Sequence, residues 1–207
     1  MPTTHLLYLH GFRSSPESTK ARQVAAWIAQ HRPHVVWCCP QLAVSPREAL
    51  NHVLGAIANW PIATLAVMGS SLGGFYATVV AERLGCKAVL LNPAVYPARD
   101  LVGYVGDMKS WHSDEVLSFR AEYIDELQAM HPAAITRPER YYAVIAKGDE
   151  VLDWREMSAR YTGCRIELLE GGDHALSNFA PHLPRIAEFL DLARQALQAA
   201  SSQSSDP

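Results

Sequence analysis

The feature that most constrains this chain is the alternation of short apolar runs with longer amphipathic stretches. The runs are His5–Leu9, Val35–Cys38, Leu65–Met68, Ala88–Leu91, Tyr141–Ala146 and Ile166–Leu169. Each is near-continuous in apolar residues, the pattern of a strand buried on both faces. Helical spacing fills the stretches between them. Glu17–Gln30 sets Ala21, Val24, Ala25 and Ile28 on one stripe, and Pro33 stops it. Pro46–Asn59 carries Ala49, Leu50, Val53, Leu54 and Ile57 on one face. There Ser45 is the N-cap, Pro46 takes the first helical position, and Glu48 completes a capping box. Leu72–Leu84 runs into Gly85, a residue suited to closing a helix. Strands separated by helices require βαβ crossovers. The expected fold class is α/β: a three-layer αβα sandwich around a mostly parallel sheet of about six strands.

One connection breaks this rhythm. Asn92–Arg140 opens with turn material (Asn92-Pro93, Tyr96-Pro97), then places Val116, Phe119, Tyr123, Leu127 and Met130 at helical spacing. The pattern predicts a helix over Val116–Met130, read either as a small helical cap over a site or as an ordinary extra helix of a layer. A chain of 207 residues suits one domain, assigned to residues 1–199, with the Ser-rich Ala200–Pro207 expected to be a disordered tail.

Charge and cysteine content then remove whole classes of function. The net charge is −3 (18 basic against 21 acidic residues), so no basic footprint for nucleic acid is present. Cys38, Cys39, Cys86 and Cys164 lack the spacing of a zinc site, and are expected to be reduced thiols in or near the core. The start MPTTHLLYLHG has no basic segment ahead of a long apolar one, so it is not read as a signal peptide. No stretch approaches the roughly 18 apolar residues that span a bilayer. A cytoplasmic protein without membrane or nucleic-acid partners is the expectation.

The strongest chemical signal is Gly69-Ser70-Ser71-Leu72-Gly73, of the form G-x-S-x-G, between a predicted strand and a predicted helix. That context is what a nucleophile elbow needs: a tight turn projecting Ser71 above the sheet at a helix N-terminus. Ser70 is the neighbouring alternative, without the symmetric glycines. A phosphate loop competes for the same turn, but the Lys-Ser/Thr pair it requires is missing from Leu72-Gly73-Gly74-Phe75. A serine hydroxyl needs a base, and the base needs an orienting acid. Gly148-Asp149-Glu150-Val151 and Gly172-Asp173-His174 follow the last two predicted strands. Three strand ends would thus bring Ser71, Asp149 and His174 together as nucleophile, acid and base. Asp153 is the second candidate acid; Glu150 shares the same loop, and Asp173 reads as a turn residue. An oxyanion would be received by the backbone N–H groups of Leu72 and Phe12. His10 reads as a hydrogen-bonding group behind the site or as part of its lining. Arg13 reads as a partner for a substrate carboxylate or phosphate, or as a solvated surface residue. Trp111, Phe119 and Tyr123 are candidates for the substrate pocket.

The run His10-Gly11-Phe12-Arg13-Ser14-Ser15-Pro16 with Lys20, the block Gly69–Gly74, Leu91-Asn92-Pro93-Ala94, Gly148–Asp153 and Gly172-Asp173-His174 together resemble the small bacterial YqiA-like esterases of the α/β-hydrolase superfamily. The similarity spans about residues 4 to 192. It implies an α/β-hydrolase fold shortened to begin at the equivalent of the third of eight strands, and a Ser-His-Asp esterase with Ser71, Asp149 and His174 at the matching positions. The function expected is hydrolysis of a small carboxylic ester through an acyl-enzyme, with no metal or organic cofactor. The alternatives are a thioesterase acting on acyl-CoA, a carbon–carbon bond hydrolase, and a non-catalytic ligand-binding protein on the same fold.

Overall fold

The computed structural model describes residues 1–109 and 116–192. Trp111 and the tail Ala200–Pro207 lie outside the described residues. Among those described, the elements run β1 (His5–Leu9), α1 (Thr19–His31), β2 (Val36–Cys38), α2 (Pro46–Ala56), β3 (Leu65–Ser70), α3 (Leu72–Leu84), β4 (Lys87–Leu91) and α4 (Pro97–Asp100). They continue as β5 (Gly106–Lys109), β6 (Val116–Phe119), α5 (Glu122–Met130), β7 (Tyr141–Ala146), α6 (Trp154–Arg160), β8 (Arg165–Leu169) and α7 (Leu183–Leu190). Six strands form one parallel sheet in the order β2-β1-β3-β4-β7-β8.

Period-two alternation divides the core between the two faces of this sheet. Leu7, Leu9, Val67, Ala143 and Ile145 pack with α2, α3 and α6 through Val53, Phe75 and Met157. Leu6, Tyr8, Met68, Tyr142 and Val144 pack with α1 and α7 through Val24, Ile28, Ile186 and Leu190. All six residues of β3 and of β7 are buried, which is why these segments read as continuous apolar runs. At about 1.5–3 kcal/mol for each fully buried large aliphatic side chain, this double-sided burial holds the sheet together. The register pairs Leu9 with Gly69 and Ser70 with Leu91, so β1, β3 and β4 end along one edge. Strand order reverses between β1 and β3, the place where open α/β sheets leave a crevice.

Helix ends follow their local chemistry. The Gly85 residue closes α3 at φ 73°. Ser45 caps α2 by accepting the Glu48 N–H. The other half of that cap departs from a capping box: Glu126 of α5 accepts from both Ser45 Oγ (2.8 Å) and the Arg47 N–H (3.0 Å). All four cysteines are free, and burial pushes the Cys39 and Cys86 thiols up to about 12.

The expected helix over Val116–Met130 is corrected. Its first part is strand β6, paired antiparallel with β5 from Gly106↔Phe119 to Lys109↔Val116; only Glu122–Met130 is helical. In a strand Leu117 and Phe119 share a face, and Phe119 is buried while Val116 is exposed. The segment Val116–Met130 is therefore part strand and part helix.

Candidate active site

The site begins with a strained residue. Ser71 sits at φ 56° and ψ −123° between β3 and α3. A conformation of that kind costs on the order of 1–3 kcal/mol and persists only when its surroundings hold it. Here they do so with four hydrogen bonds. The Ser71 N–H donates to the Leu91 carbonyl (3.0 Å), and its own carbonyl accepts from Gly74, Phe75 and Ala94. The flanking glycines are required by packing. A Cβ on Gly69 would lie 2.0 Å from the Gly73 carbonyl oxygen, and one on Gly73 would lie 2.0 Å from the Leu9 carbonyl oxygen.

Two other strand ends supply the partners. His174, in the loop after β8, places Nε2 3.0 Å from Ser71 Oγ. Its Nδ1 lies 2.8 Å from Asp149 Oδ2, in the loop after β7. The Asp149 side chain is fully buried, and its Oδ1 accepts the Val151 and Leu152 N–H groups at 2.8 Å each. A carboxylate so occupied is an acceptor for His174, so Nδ1 carries the proton and the Nε2 lone pair faces the serine hydroxyl. This arrangement can take a proton from Ser71 and return it. Asp153, the second candidate acid, instead caps α6 by accepting the Arg155 N–H. Asp173 is a turn residue as read: it accepts from Ser177 N and Oγ, and those bonds hold its carboxyl below the usual range.

Sequence reasoning passed over residues that hold this geometry. Asn92, read as turn material, is fully buried at the end of β4 with φ 40°. Its Nδ2 donates to the Asp173 and His174 carbonyls, and its Oδ1 accepts the Ala146 N–H. Glu150 accepts the His174 N–H at 2.9 Å. The only sequence signal was position: an asparagine directly ahead of a proline at a central strand end.

Ser71, Leu72, Gly11, Phe12 and His174 line one cavity of about 810 Å³. Among the described residues no acceptor takes the Phe12 or Leu72 N–H. Arg13 also lines this cavity; it stands at φ 57° and donates from Nε to the Lys109 carbonyl, which ties its loop to β5. Three of the expected pocket residues are elsewhere. His10 is buried and accepts the Leu42 N–H on Nε2, and with Phe119 it lines a smaller hollow next to Phe12. The Phe119 ring packs edge-on against Phe12 (5.3 Å) and Tyr123 (5.5 Å), so Phe119, backed by Tyr123, braces the Phe12 loop from the insert, and neither lines the Ser71 cavity. Among the described residues, the insert's contribution to that cavity comes earlier in the chain, from Ala94, Pro97, Asp100, Leu101 and Tyr104.

Residues 5–191 match the family described as "Uncharacterised protein family (UPF0227)". A UPF0227 protein of Yersinia enterocolitica, YE1706, is 24% identical over 192 residues, covering 90% of this chain and 99% of its own. In three dimensions the chain is similar to alpha/beta hydrolase domain-containing protein 10 from mouse (TM-score 0.66, 14% identity, 92% of each chain). It is also similar to the esterase Pf2001 of Pyrococcus furiosus (TM-score 0.59, 16% identity, 91% of this chain and 80% of that one). The fold is that of the α/β hydrolases, as the sequence resemblance implied.

Proposed function

The chain belongs to the UPF0227 family, and from the geometry of its site we propose that it is a serine hydrolase of carboxylic esters. The observation that carries this reading is the continuous contact from Asp149 through His174 to Ser71, at 2.8 and 3.0 Å, opening into a cavity. Likeness in fold to an esterase adds support.

In this reaction Ser71 Oγ attacks the acyl carbonyl while His174 Nε2 takes its proton. The Phe12 and Leu72 N–H groups receive the oxyanion, and Asp149 steadies the imidazolium. His174 then gives the proton to the leaving oxygen, and the acyl group remains on Ser71. Water, deprotonated by the same nitrogen, attacks the acyl carbonyl; the bond to Ser71 Oγ breaks, His174 returns the proton to that oxygen, and the acid leaves. Apart from the water, each step uses groups the chain supplies. Leu101, Tyr104, Val151 and Leu152 offer apolar lining for the acyl portion.

A fluorophosphonate probe should label Ser71, located by peptide mass spectrometry. Ser71→Ala should abolish labelling and lower kcat on the order of a million-fold with the fold intact. Labelling of another residue, or none in folded protein, overturns the reading.

A further inference from the structure

Beside the Gly11–Ser14 loop, whose Arg13 donates to the Lys109 carbonyl, the cavity above Ser71 is lined by two unlike sets of residues. One, from the insert and the Asp149 loop, is largely apolar, with Pro97, Leu101, Tyr104, Val151 and Leu152 beside Asp100 and Glu150. The other comes from α1 and the residues after His174, and presents Ser18, Thr19, Lys20, Gln23 and Ser177. Lys20 Nζ donates to the Ala175 carbonyl, which clasps the two segments together. In the reaction proposed above, His174 Nε2 hands its proton to the leaving group. The leaving group therefore departs on the His174 side, along this polar wall.

An ammonium has three N–H donors, and Lys20 places one of them on Ala175. Among the described residues no carboxylate stands within ion-pair distance of it. The acidic groups that act on it, Asp173 and Asp149, are committed to Ser177 and to His174, Val151 and Leu152. Burial lowers the Lys20 ammonium to about 8 in spite of those two charges. The carboxylates that line the cavity are also engaged, Glu150 by the His174 N–H and Asp100 by Arg99. A partly desolvated cation of this kind gains most from an anion brought in by a ligand.

We propose that this wall is a subsite for an anionic group, a carboxylate or a phosphate, carried on the leaving-group portion of the substrate, with Lys20 as the residue that selects it. The proposal rests on Ser71 and His174 acting as nucleophile and base. It makes the natural substrate an ester of an acidic alcohol moiety, with the acyl portion on the apolar wall.

The test compares three aryl butyrates: para-butyryloxybenzoate, para-butyryloxyphenyl phosphate and the neutral methyl para-butyryloxybenzoate. Each kcat/KM is divided by that ester's hydroxide-catalysed rate, which removes leaving-group reactivity. The wild-type chain should favour at least one anionic ester over the neutral one by about tenfold or more, and the favoured ester identifies the head group as carboxylate or phosphate. Lys20→Met should bring that ratio close to one, and Lys20→Arg should restore most of it. A wild-type ratio near one overturns the proposal. So does an equal loss on all three esters in Lys20→Met, which would mean that Lys20 only holds the His174 loop. Titration calorimetry of para-hydroxybenzoate and phenyl phosphate into Ser71→Ala, with and without Lys20→Met, separates the two readings. Binding that depends on Lys20, with no ester hydrolysed, keeps the subsite and rejects the hydrolase. Hydrolysis without anion preference or binding that depends on Lys20 rejects the subsite and keeps the hydrolase.

Discussion

Asp149→Asn is the substitution that most sharply tests the proposed chemistry, because it changes protonation with little change in shape. In the native site Oδ1 accepts two backbone N–H bonds and Oδ2 faces His174 Nδ1. The amide oxygen of the variant would keep the two N–H bonds, since turning it away would bury both donors unpaired, at about 1–3 kcal/mol each. Its NH₂ is then left facing Nδ1. Two donors cannot share that contact, so the imidazole proton moves to Nε2 and points at Ser71 Oγ. The base is lost although every heavy atom stays in place. Locking the wrong tautomer in such a site costs about 10⁴ in kcat, or roughly 5.4 kcal/mol of transition-state stabilisation. Stability should fall by only about 1 kcal/mol, a shift of about 2–4 °C in Tm for a chain of this size. The assay is hydrolysis of para-nitrophenyl butyrate alongside thermal unfolding by circular dichroism. Glu150→Gln is the matched control: its amide oxygen still accepts the His174 N–H, so kcat should fall less than about tenfold. Asp149→Asn within tenfold of wild type, with Glu150→Gln lower by thousands, would refute the assignment of Asp149 as the orienting acid.

Two further substitutions test the scaffold. Asn92→Asp keeps an acceptor for Ala146 but loses both donors to the Asp173 and His174 carbonyls, and buries a charge against them; it should cost about 3 kcal/mol or more in urea unfolding. The new carboxyl would be held above its unfolded pKa, so the deficit should grow as pH rises from about 5 to 8, and a constant deficit would remove the buried-charge argument. Gly73→Ala drives a Cβ to 2.0 Å from the Leu9 carbonyl oxygen, where only backbone can yield; a loss of about 3 kcal/mol or more is expected from denaturant midpoints, and a loss below 1 kcal/mol would show that β1 and α3 are not locked together there.

The readable parts of this chain are those whose cause is local or periodic. β1 and β7 coincide with their apolar runs because both faces of each are covered, so no polar face interrupts the pattern. Ser71 was readable because its positive φ and the close approach of Gly69 and Gly73 demand small residues at fixed spacing. Asn92 and Lys20 were passed over as site residues for the opposite reason. Each acts through long-range contacts, Asn92 with Ala146 and the Asp173-His174 turn, 54 to 82 positions away, and Lys20 with Ala175, 155 positions away, and nothing in their own neighbourhoods encodes them. His10 was half-legible: burial and a bond to the Leu42 N–H make it a structural group, one of its two readings.

The segment Val116–Met130 shows how a true periodicity can name the wrong element. Phe119, Tyr123 and Leu127 do lie on one apolar side, and the Phe119 and Tyr123 rings do touch. A spacing of four residues gives that result on a helix, but it also does so where a strand turns into a helix and the last strand residue packs on the first helical turn. What separates the cases is Val116. On a continuous helix starting there it would sit one turn before Phe119 and share its burial; in β6 it lies three residues away, on the opposite face, and is 60% exposed. The same strand lets Phe119 reach past the insert to the Phe12 ring. The insert therefore acts on the proposed oxyanion loop by bracing it from behind, while among the described residues the cavity lining it supplies comes from the 94–104 stretch, with Pro97, Leu101 and Tyr104 as its large side chains. Substitutions at Phe119 should consequently alter the placement of the Phe12 N–H, and so kcat, before they alter which acyl group fits.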